Sequence, residues 1–177
     1  MKVVWTLAVL LLFSCRNDEA QSDRPTVGSE KKWSNQQSVE FNQEIHIREE
    51  LDIEIYLEHH KYLRMTETNT ALRYQIVSKD DVSGDYARDG DVITIDLKIS
   101  LIDGSICYET DSIPDQFILG RSDKESGLQE ALELMRLNDK AKLILPSYLA
   151  HGLLGDSETI PPQSVLIIDV ELLNIER

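Results

Sequence analysis

Cysteine is almost absent from this chain, which holds only Cys15 and Cys107 among 177 residues. Two cysteines exclude a disulfide framework and a thiolate metal cluster. Aromatic residues make up only 6% of the sequence, and 18 Lys and Arg stand against 32 Asp and Glu. The resulting net charge of -14 argues against nucleic acid and anionic membrane surfaces as direct partners.

The N-terminus has the features of an export signal. Lys2 precedes residues 3–13, which are apolar except for Thr6 and too few to span a bilayer. The following Cys15, preceded by Ser14, is placed as in a bacterial lipobox. We therefore predict a lipoprotein signal peptide over residues 1–14 and a lipidated Cys15 that anchors the protein to a cell-envelope membrane. The alternatives are an uncleaved signal anchor, or a secretory signal in which the cysteine occurs by chance.

Two segments separate this signal from the rest of the chain. Residues 15–38 are polar and are predicted to be a flexible tether. Residues 39–65 are predicted to be helical, because one set of residues recurs at steps of three or four: Phe41, Ile45, Arg48, Leu51, Ile55, His59 and Tyr62. We expect this helix to pack on its own domain. The alternative is a dimerisation or partner-docking helix.

Residues 66–177 are predicted to form one α+β domain. Segments 71–78, 92–102, 106–110, 117–119, 140–145 and 165–173 have the composition or alternation of strands. Asp103-Gly104 is a hairpin signal. One helix is expected after residues 123–126, which we expect to cap it. Its apolar residues fall at helical spacing: Leu128, Ala131, Leu132 and Met135. This order indicates a curved antiparallel sheet packed against a single helix.

The combined motifs of this domain resemble FKBP-type peptidyl-prolyl cis-trans isomerases. The C-terminal half carries GL at 127–128, PSYLAHG at 146–152, IPP at 160–162 and DVELL at 169–173. Upstream, ALRYQIV at 71–77, GDVI at 90–93, DG at 103–104 and FILG at 117–120 follow the same family order. The lipobox and the helix before the domain resemble a subgroup, the gliding-motility-associated lipoprotein isomerases of Bacteroidota.

The resemblance implies a pocket for a prolyl peptide, and it requires no cofactor or metal. Its floor residue corresponds to Leu128, and the pocket residue of its last strand corresponds to Ile168. The residue whose backbone N–H meets the substrate carbonyl in the family corresponds to Ile160. The rim tyrosine is replaced by His151, and Tyr108 is our candidate for a wall aromatic.

Several family positions have changed character. Leu97 and Asp115 replace aromatic residues, and Lys124-Glu125 replace an apolar pair. The family's Phe-Asp pair after the D-G turn falls either on residues 107–108 or, with one residue inserted, on 108–109. These losses predict a catalyst of reduced turnover and put binding of macrolide inhibitors in question.

The resemblance implies an isomerase of the cell envelope that assists the folding of exported proteins and is linked to gliding motility. Its partners would be proline-containing segments of those proteins and, through the lipid, the membrane. The alternative is a weak or inactive FKBP-fold chaperone or scaffold module that binds envelope proteins. A third class is a structural role carried by the helix at 39–65.

Overall fold

The computed structural model of this chain describes residues 34–77 and 84–177. Cys15, the predicted signal peptide over 1–14 and most of the predicted tether lie outside the described residues. The end of that tether is helical, because helix α1 spans Asn35–His59. Ser34 begins α1 with a capping box, in which its side chain accepts from the N–H of Gln37 at 3.2 Å and its own N–H donates to that side chain at 3.0 Å.

Helix α1 ends six residues earlier than the periodicity predicted. The chain turns at residues 61–62 and then enters strand β1, Thr66–Glu67, which pairs with the next strand. Tyr62, predicted to lie on the helix, is therefore in this turn and is 70% exposed. Pairing of β1 with the sheet limits how far the helix can continue.

Among the described residues, seven antiparallel strands form one sheet in the order β1-β2-β6-β7-β3-β4, with β5 paired to the other half of β3. After β1 the strands are β2 Arg73–Val77, β3 Val92–Leu101, β4 Ile106–Glu109, β5 Asp115–Ile118, β6 Lys140–Leu145 and β7 Leu166–Glu176. The predicted α+β architecture is confirmed. Strand β6 has the predicted bounds, and β7 occupies the centre of the sheet, between β6 and β3.

One face of the sheet packs against helix α2, Ser126–Glu133. Leu128 and Leu132 are fully buried in the main core with residues from β3, β6 and β7. Gly127 allows this close approach, because a Cβ there would lie 2.8 Å from the Leu145 side chain and 3.0 Å from the Leu149 Cβ. Any larger residue would push the start of α2 away from the sheet.

Helix α1 packs on the opposite face. Ile53 is fully buried in a second core with Ile144, Val165 and Ile167. Because Leu143 and Leu145 belong to the main core, Ile144 points to the other side of β6. Strand β7 is consequently covered on both faces at its start. The helix is thus part of the domain.

The residues of α1 that face the sheet differ from the set that the periodicity predicted. The buried positions are Ile45, Glu49 and Ile53, whereas Leu51 and Ile55 are 54% and 49% exposed. Glu49 can be buried because its Oε2 accepts from the N–H of Ser147 at 3.1 Å. Among the described residues, no helix is long and apolar enough to cross a membrane.

Candidate functional site

A cleft of about 510 Å³ opens where β3, β4 and β5 meet the segment before α2 and the loop that ends in the Pro-Pro pair. Its apolar wall contains Ile99, Cys107, Tyr108 and Ile160. Its other walls are mostly charged, with Asp115, Asp123, Lys124, Glu125, His151, Asp156 and Glu158. The cleft is therefore half apolar wall and half acidic rim.

Three of the five predicted pocket residues meet in this cleft: Tyr108, His151 and Ile160. Leu128 and Ile168 are 0% exposed and belong to the same hydrophobic core as Ile160. They are not among the cleft-lining residues. Their side chains support the wall from within the core and offer no surface to a ligand.

Strand pairing decides how residues 107–109 face the cleft. Tyr108 lies opposite Ile99, and Ser100 pairs with Ile106, so a bulge leaves Cys107 without a partner on β3. Glu109 lies opposite Lys98 and forms an ion pair with it at 3.4 Å, away from the cleft. Of the pair expected at residues 108–109, the aromatic Tyr108 lines the cleft, whereas the acidic Glu109 does not.

Asp115 supplies a carboxylate to Tyr108 instead. The Tyr108 hydroxyl donates to Asp115 Oδ1 at 2.8 Å, and Lys124 Nζ donates to Asp115 Oδ2 at 2.6 Å. Lys124 Nζ also lies 5.4 Å from the centre of the Tyr108 ring, within cation–π range. Two of the polar substitutions noted in the sequence, Asp115 and Lys124, thus form one bonded cluster with Tyr108.

The hydrogen bonds of this cluster set the protonation states of Tyr108 and Asp115. The hydrogen bond to Asp115, with burial, raises the pKa of Tyr108 above its usual value. Burial would raise the pKa of Asp115, but the hydrogen bonds from Lys124 and Tyr108, with the lysine charge, leave that pKa below its usual value. Tyr108 therefore stays a neutral hydroxyl and Asp115 a carboxylate at neutral pH.

His151 joins the rim to the start of α2. Its Nε2 lies 3.1 Å from Glu125 Oε1, and the carboxylate accepts this hydrogen bond. Glu125 occupies the N-cap position of α2 without making a side-chain cap bond. The predicted side-chain capping by a residue from 123–126 is therefore wrong. The Glu125 and Ser126 side chains are hydrogen-bonded to the 146–152 loop instead. Ser126 donates to the carbonyl of Leu149 at 3.2 Å.

Asp156 organises the loop that carries Ile160. Its Oδ1 accepts from the backbone N–H groups of Glu158, Thr159 and Ile160 at 2.8, 2.9 and 2.7 Å. The N–H of Ile160, predicted to meet the substrate carbonyl, is thus already engaged by Asp156. A substrate carbonyl would have to share this donor or use another.

The same hydrogen bonds predict a pH-dependent stability. Those from the N–H groups of Glu158 and Ile160, with further donors from Thr159, lower the pKa of Asp156 to about 2. A pKa lowered on folding stabilises the protein above the unfolded value and loses that effect as pH falls through the folded one. Asp156→Ala should therefore lower the urea midpoint at pH 7, and the difference should shrink as the pH falls from about 4 through 2. A difference that persists unchanged at pH 2 would contradict this.

Cys107 is half-buried in the cleft wall. Its Sγ lies 3.8 Å from the carbonyl of Thr159. Burial, followed by the nearby Asp156 charge, raises the pKa of the thiol. Since the thiolate is the nucleophilic form, a raised pKa makes this cysteine a poorer nucleophile than an ordinary thiol at neutral pH.

A second cavity, of about 520 Å³, lies on the opposite side of the sheet near Tyr62. Its lysines are paired with carboxylates at 2.5 Å (Lys140 with Glu171, Lys142 with Asp169) or at 3.4 Å (Lys98 with Glu109). Oppositely charged side chains that pair across neighbouring strands are usual on the polar face of a sheet. The cleft beside Tyr108 is the better candidate, because its polar groups converge on a concave apolar wall.

The family profile described as "FKBP-type peptidyl-prolyl cis-trans isomerase" matches residues 84–173, which include every cleft residue. The chain belongs to this family. Within the matched segment lie all five predicted pocket residues, although two of them are core residues here. No finding ties the chain to the gliding-motility subgroup.

Curated relatives agree with this assignment. The chain is 31% identical over 109 residues to the FKBP-type peptidyl-prolyl cis-trans isomerase FkpA of Escherichia coli K12, covering 62% of this chain and 39% of FkpA. It is 33% identical to FKBP11 of Bos taurus, covering 58% and 51% of the two chains. It is 32% identical to FK506-binding protein 2 of Candida glabrata, covering 60% and 82%. The chain thus spans between about two fifths and half of the first two relatives.

Solved structures show the same fold. The crystal structure of FkpA from Escherichia coli has a TM-score of 0.63 at 28% identity, covering 82% of this chain and 74% of FkpA. A peptidyl-prolyl cis-trans isomerase from Pseudomonas syringae has a TM-score of 0.60 at 22% identity, covering 70% and 90%. The second likeness is one of fold alone.

Sequence reasoning missed the role of Asp156. The segment DSET at 156–159 carries a signal for it, because an Asp that starts a turn can accept from the N–H groups two and three residues on. Asp115, Lys124 and Glu125 were noticed only as departures from the family. Nothing in the sequence pairs Asp115 with Lys124 and Tyr108.

Proposed function

We propose that this chain catalyses cis–trans isomerisation of peptide bonds that precede proline. The observation that carries the proposal is the family match over residues 84–173, which spans the cleft lined by Tyr108, His151 and Ile160. The chain covers only part of its relatives, so their activity is here an inference from the matched segment.

The chemistry needs few groups. The barrier of ~18–20 kcal/mol comes from partial double-bond character of the amide, which is lost when the bond twists. An apolar wall favours the twisted bond by removing water, and a few fixed donors can hold its carbonyl. In this cleft Ile99, Tyr108 and Ile160 provide the wall. His151 and Lys124 bring N–H groups to the lining that a substrate carbonyl would share with Glu125 and Asp115.

A weakly catalytic binding module of the same fold is the second candidate. The observation in its favour is that the N–H of Ile160 already donates to Asp156 at 2.7 Å. Lys124 is likewise committed to Asp115 at 2.6 Å. With its donors engaged, the cleft would bind a prolyl segment while lowering the isomerisation barrier only modestly.

Exchange spectroscopy decides between the two. We expect the purified protein to accelerate cis–trans exchange of a short Leu-Pro peptide, measured by NMR, in proportion to protein concentration. Tyr108→Ala should reduce the acceleration about tenfold, because it removes the aromatic wall and the hydrogen bond to Asp115.

The matched control is Tyr86→Ala. Tyr86 is 44% exposed, against 41% for Tyr108, but it packs on Arg136 outside the cleft. Equal losses for the two variants would show that the effect is not local to the cleft. No acceleration by the folded unsubstituted protein would leave the binding module as the function.

We further propose that the protein is held in the cell envelope by lipid on Cys15 and acts there on proline-containing segments of exported proteins, in a role linked to gliding motility. The support is the lipobox pattern before Cys15 and the sequence resemblance to the gliding-motility lipoproteins. Incorporation of labelled palmitate by bacteria that express the chain, abolished by Cys15→Ser, is the expected result. Labelling that survives this substitution would exclude Cys15 as the anchor.

The outward face of α1 supports a partner contact. Val39, Ile47, Leu51 and Ile55 recur at multiples of four residues and are 49–68% exposed. Glutamates beside them, Glu40, Glu44 and Glu54, would repel a second acidic copy and favour a basic partner. We expect the protein to be monomeric by light scattering; a dimer broken by Leu51→Glu would assign this face to self-association.

A further inference from the structure

We propose that the cleft selects prolines flanked by a lysine or arginine. The inference rests on the proposed function, since it takes a prolyl peptide as the ligand. Five carboxylates line the cleft (Asp115, Asp123, Glu125, Asp156 and Glu158) against one lysine. A bound peptide must therefore enter a strongly negative space.

The single lysine does not offset this charge at the mouth of the cleft. Lys124 Nζ is bonded to Asp115 Oδ2 at 2.6 Å, so these two groups neutralise each other. Asp123, Glu125, Asp156 and Glu158 remain, and among the described residues His151 is the only other basic group of the lining. Salt screens charges over ~8 Å at physiological ionic strength, so carboxylates within one cleft act on a ligand together.

Glu125 gives the second and more specific observation. Its side chain lines the cleft and is only 6% exposed. Oε1 is bonded to His151, but Oε2 has no hydrogen-bond partner among the described residues. A buried carboxylate oxygen without a donor is unfavourable, and a small rotation of the Glu125 side chain into the cleft would let an ammonium or guanidinium group of a ligand supply one.

The apolar wall and the acidic rim lie side by side, which matches a proline next to a basic residue. Tyr108, Ile99 and Ile160 would contact the proline ring, and Glu125 with Asp123 would attract the neighbouring side chain. A glutamate beside the proline would be repelled by the same groups. The substrate class is thus set by charge in addition to the proline itself.

The test uses four blocked peptides, Ala-X-Pro-Phe with X as Lys, Arg, Leu or Glu, and the purified full chain. We expect kcat/KM for exchange and the affinity by NMR titration to rank Lys and Arg above Leu and Leu above Glu. The Lys-to-Glu ratio should be about tenfold at low salt and fall towards one in 1 M NaCl. A second set, Ala-Leu-Pro-X, tests the position after the proline.

Glu125→Gln keeps the shape and the acceptor for His151 but removes one charge. It should reduce the Lys preference about three- to fivefold. Glu133→Gln is the control, because Glu133 is exposed at the end of α2 outside the cleft and changes the net charge equally. An equal loss in both variants would assign the preference to overall charge and overturn the proposal.

Failure of the inference and failure of the proposed function give different results. If Leu-Pro exchange is accelerated but Lys and Glu peptides behave alike, the charge selectivity is wrong and the isomerase stands. If exchange is accelerated for no peptide, the proposed isomerase activity is wrong, and the measured affinities still test the charge selectivity. Equal affinity for the Lys and Glu peptides in both sets would overturn the proposed selectivity.

Discussion

Ile53→Ala is expected to lower the free energy of unfolding by about 3 kcal/mol, within the range of about 2–5 kcal/mol for truncation of a buried isoleucine. Ile53 is fully buried against Ile144, Val165 and Ile167, so the substitution leaves a cavity between α1 and the sheet. Urea unfolding followed by circular dichroism gives the value.

Ile47→Ala is the matched control on the same helix. The chemical change is identical, but Ile47 is 68% exposed on the outward face. Its effect should stay within about 0.5 kcal/mol. Equal effects of the two substitutions would mean that α1 is not docked on the sheet in solution.

This result bears on where the folding unit begins. A fragment that starts at Thr66 would expose Ile144 and Ile167, which α1 covers in the whole chain. It would also remove Glu50, one of the two carboxylates that pair with the nearly buried Arg73, and leave only Glu67 of the pair. Loss of one of two partners of a buried charge is destabilising. Functional variants are therefore best compared in the full chain.

Most of the fold was predictable because the sheet obeys period two. In β3 the alternate residues Ile93, Ile95, Leu97 and Ile99 are all buried on one face. Such alternation is a local property, visible in the sequence before any contact is known. The single helix of the main core was predictable for the same reason, since Leu128, Ala131 and Leu132 share one helical face.

The rotation of α1 was not predictable from the same kind of pattern. Apolar residues occur on both sides of this helix, so periodicity alone does not select the inner face. The buried set includes Glu49, whose partner is the N–H of Ser147, 98 residues away. Glu49, which the predicted set of recurring residues left out, thus lies in the middle of the inner face.

The residues of the candidate site were likewise predictable only in part. Tyr108, His151 and Ile160 were found because the family resemblance fixed their order along the chain. Leu128 and Ile168 were assigned to the pocket surface, but the structure places both at 0% exposure. Which side chains reach a surface depends on packing depth, and motif spacing does not contain that information. Charged substitutions at either position would unfold the core and would not test the site.

Gly155→Ala is expected to disturb the site strongly, through the loop that carries Ile160. Gly155 has φ +69°, and a Cβ there would lie 2.1 Å from the Ile160 carbonyl oxygen and 2.8 Å from the Pro161 carbonyl carbon. The left-handed backbone costs about 1–2 kcal/mol for an L residue. The clash adds about 1–3 kcal/mol or displaces the loop that holds Ile160. Exchange of a Leu-Pro peptide should fall about tenfold or more, because small misplacements at a site strongly reduce rates.

Gly104→Ala separates backbone strain from the clash. Gly104 has φ +90° in the β3–β4 turn, yet a Cβ there meets nothing within 4 Å. It should lose stability through strain alone and keep its exchange activity. If Gly155→Ala matches Gly104→Ala in both unfolding free energy and kcat/KM, the position of Ile160 does not govern the cleft. A selective loss in Gly155→Ala, measured by urea unfolding and NMR exchange, would show that the loop's contact with Gly155 sets the shape of the apolar wall.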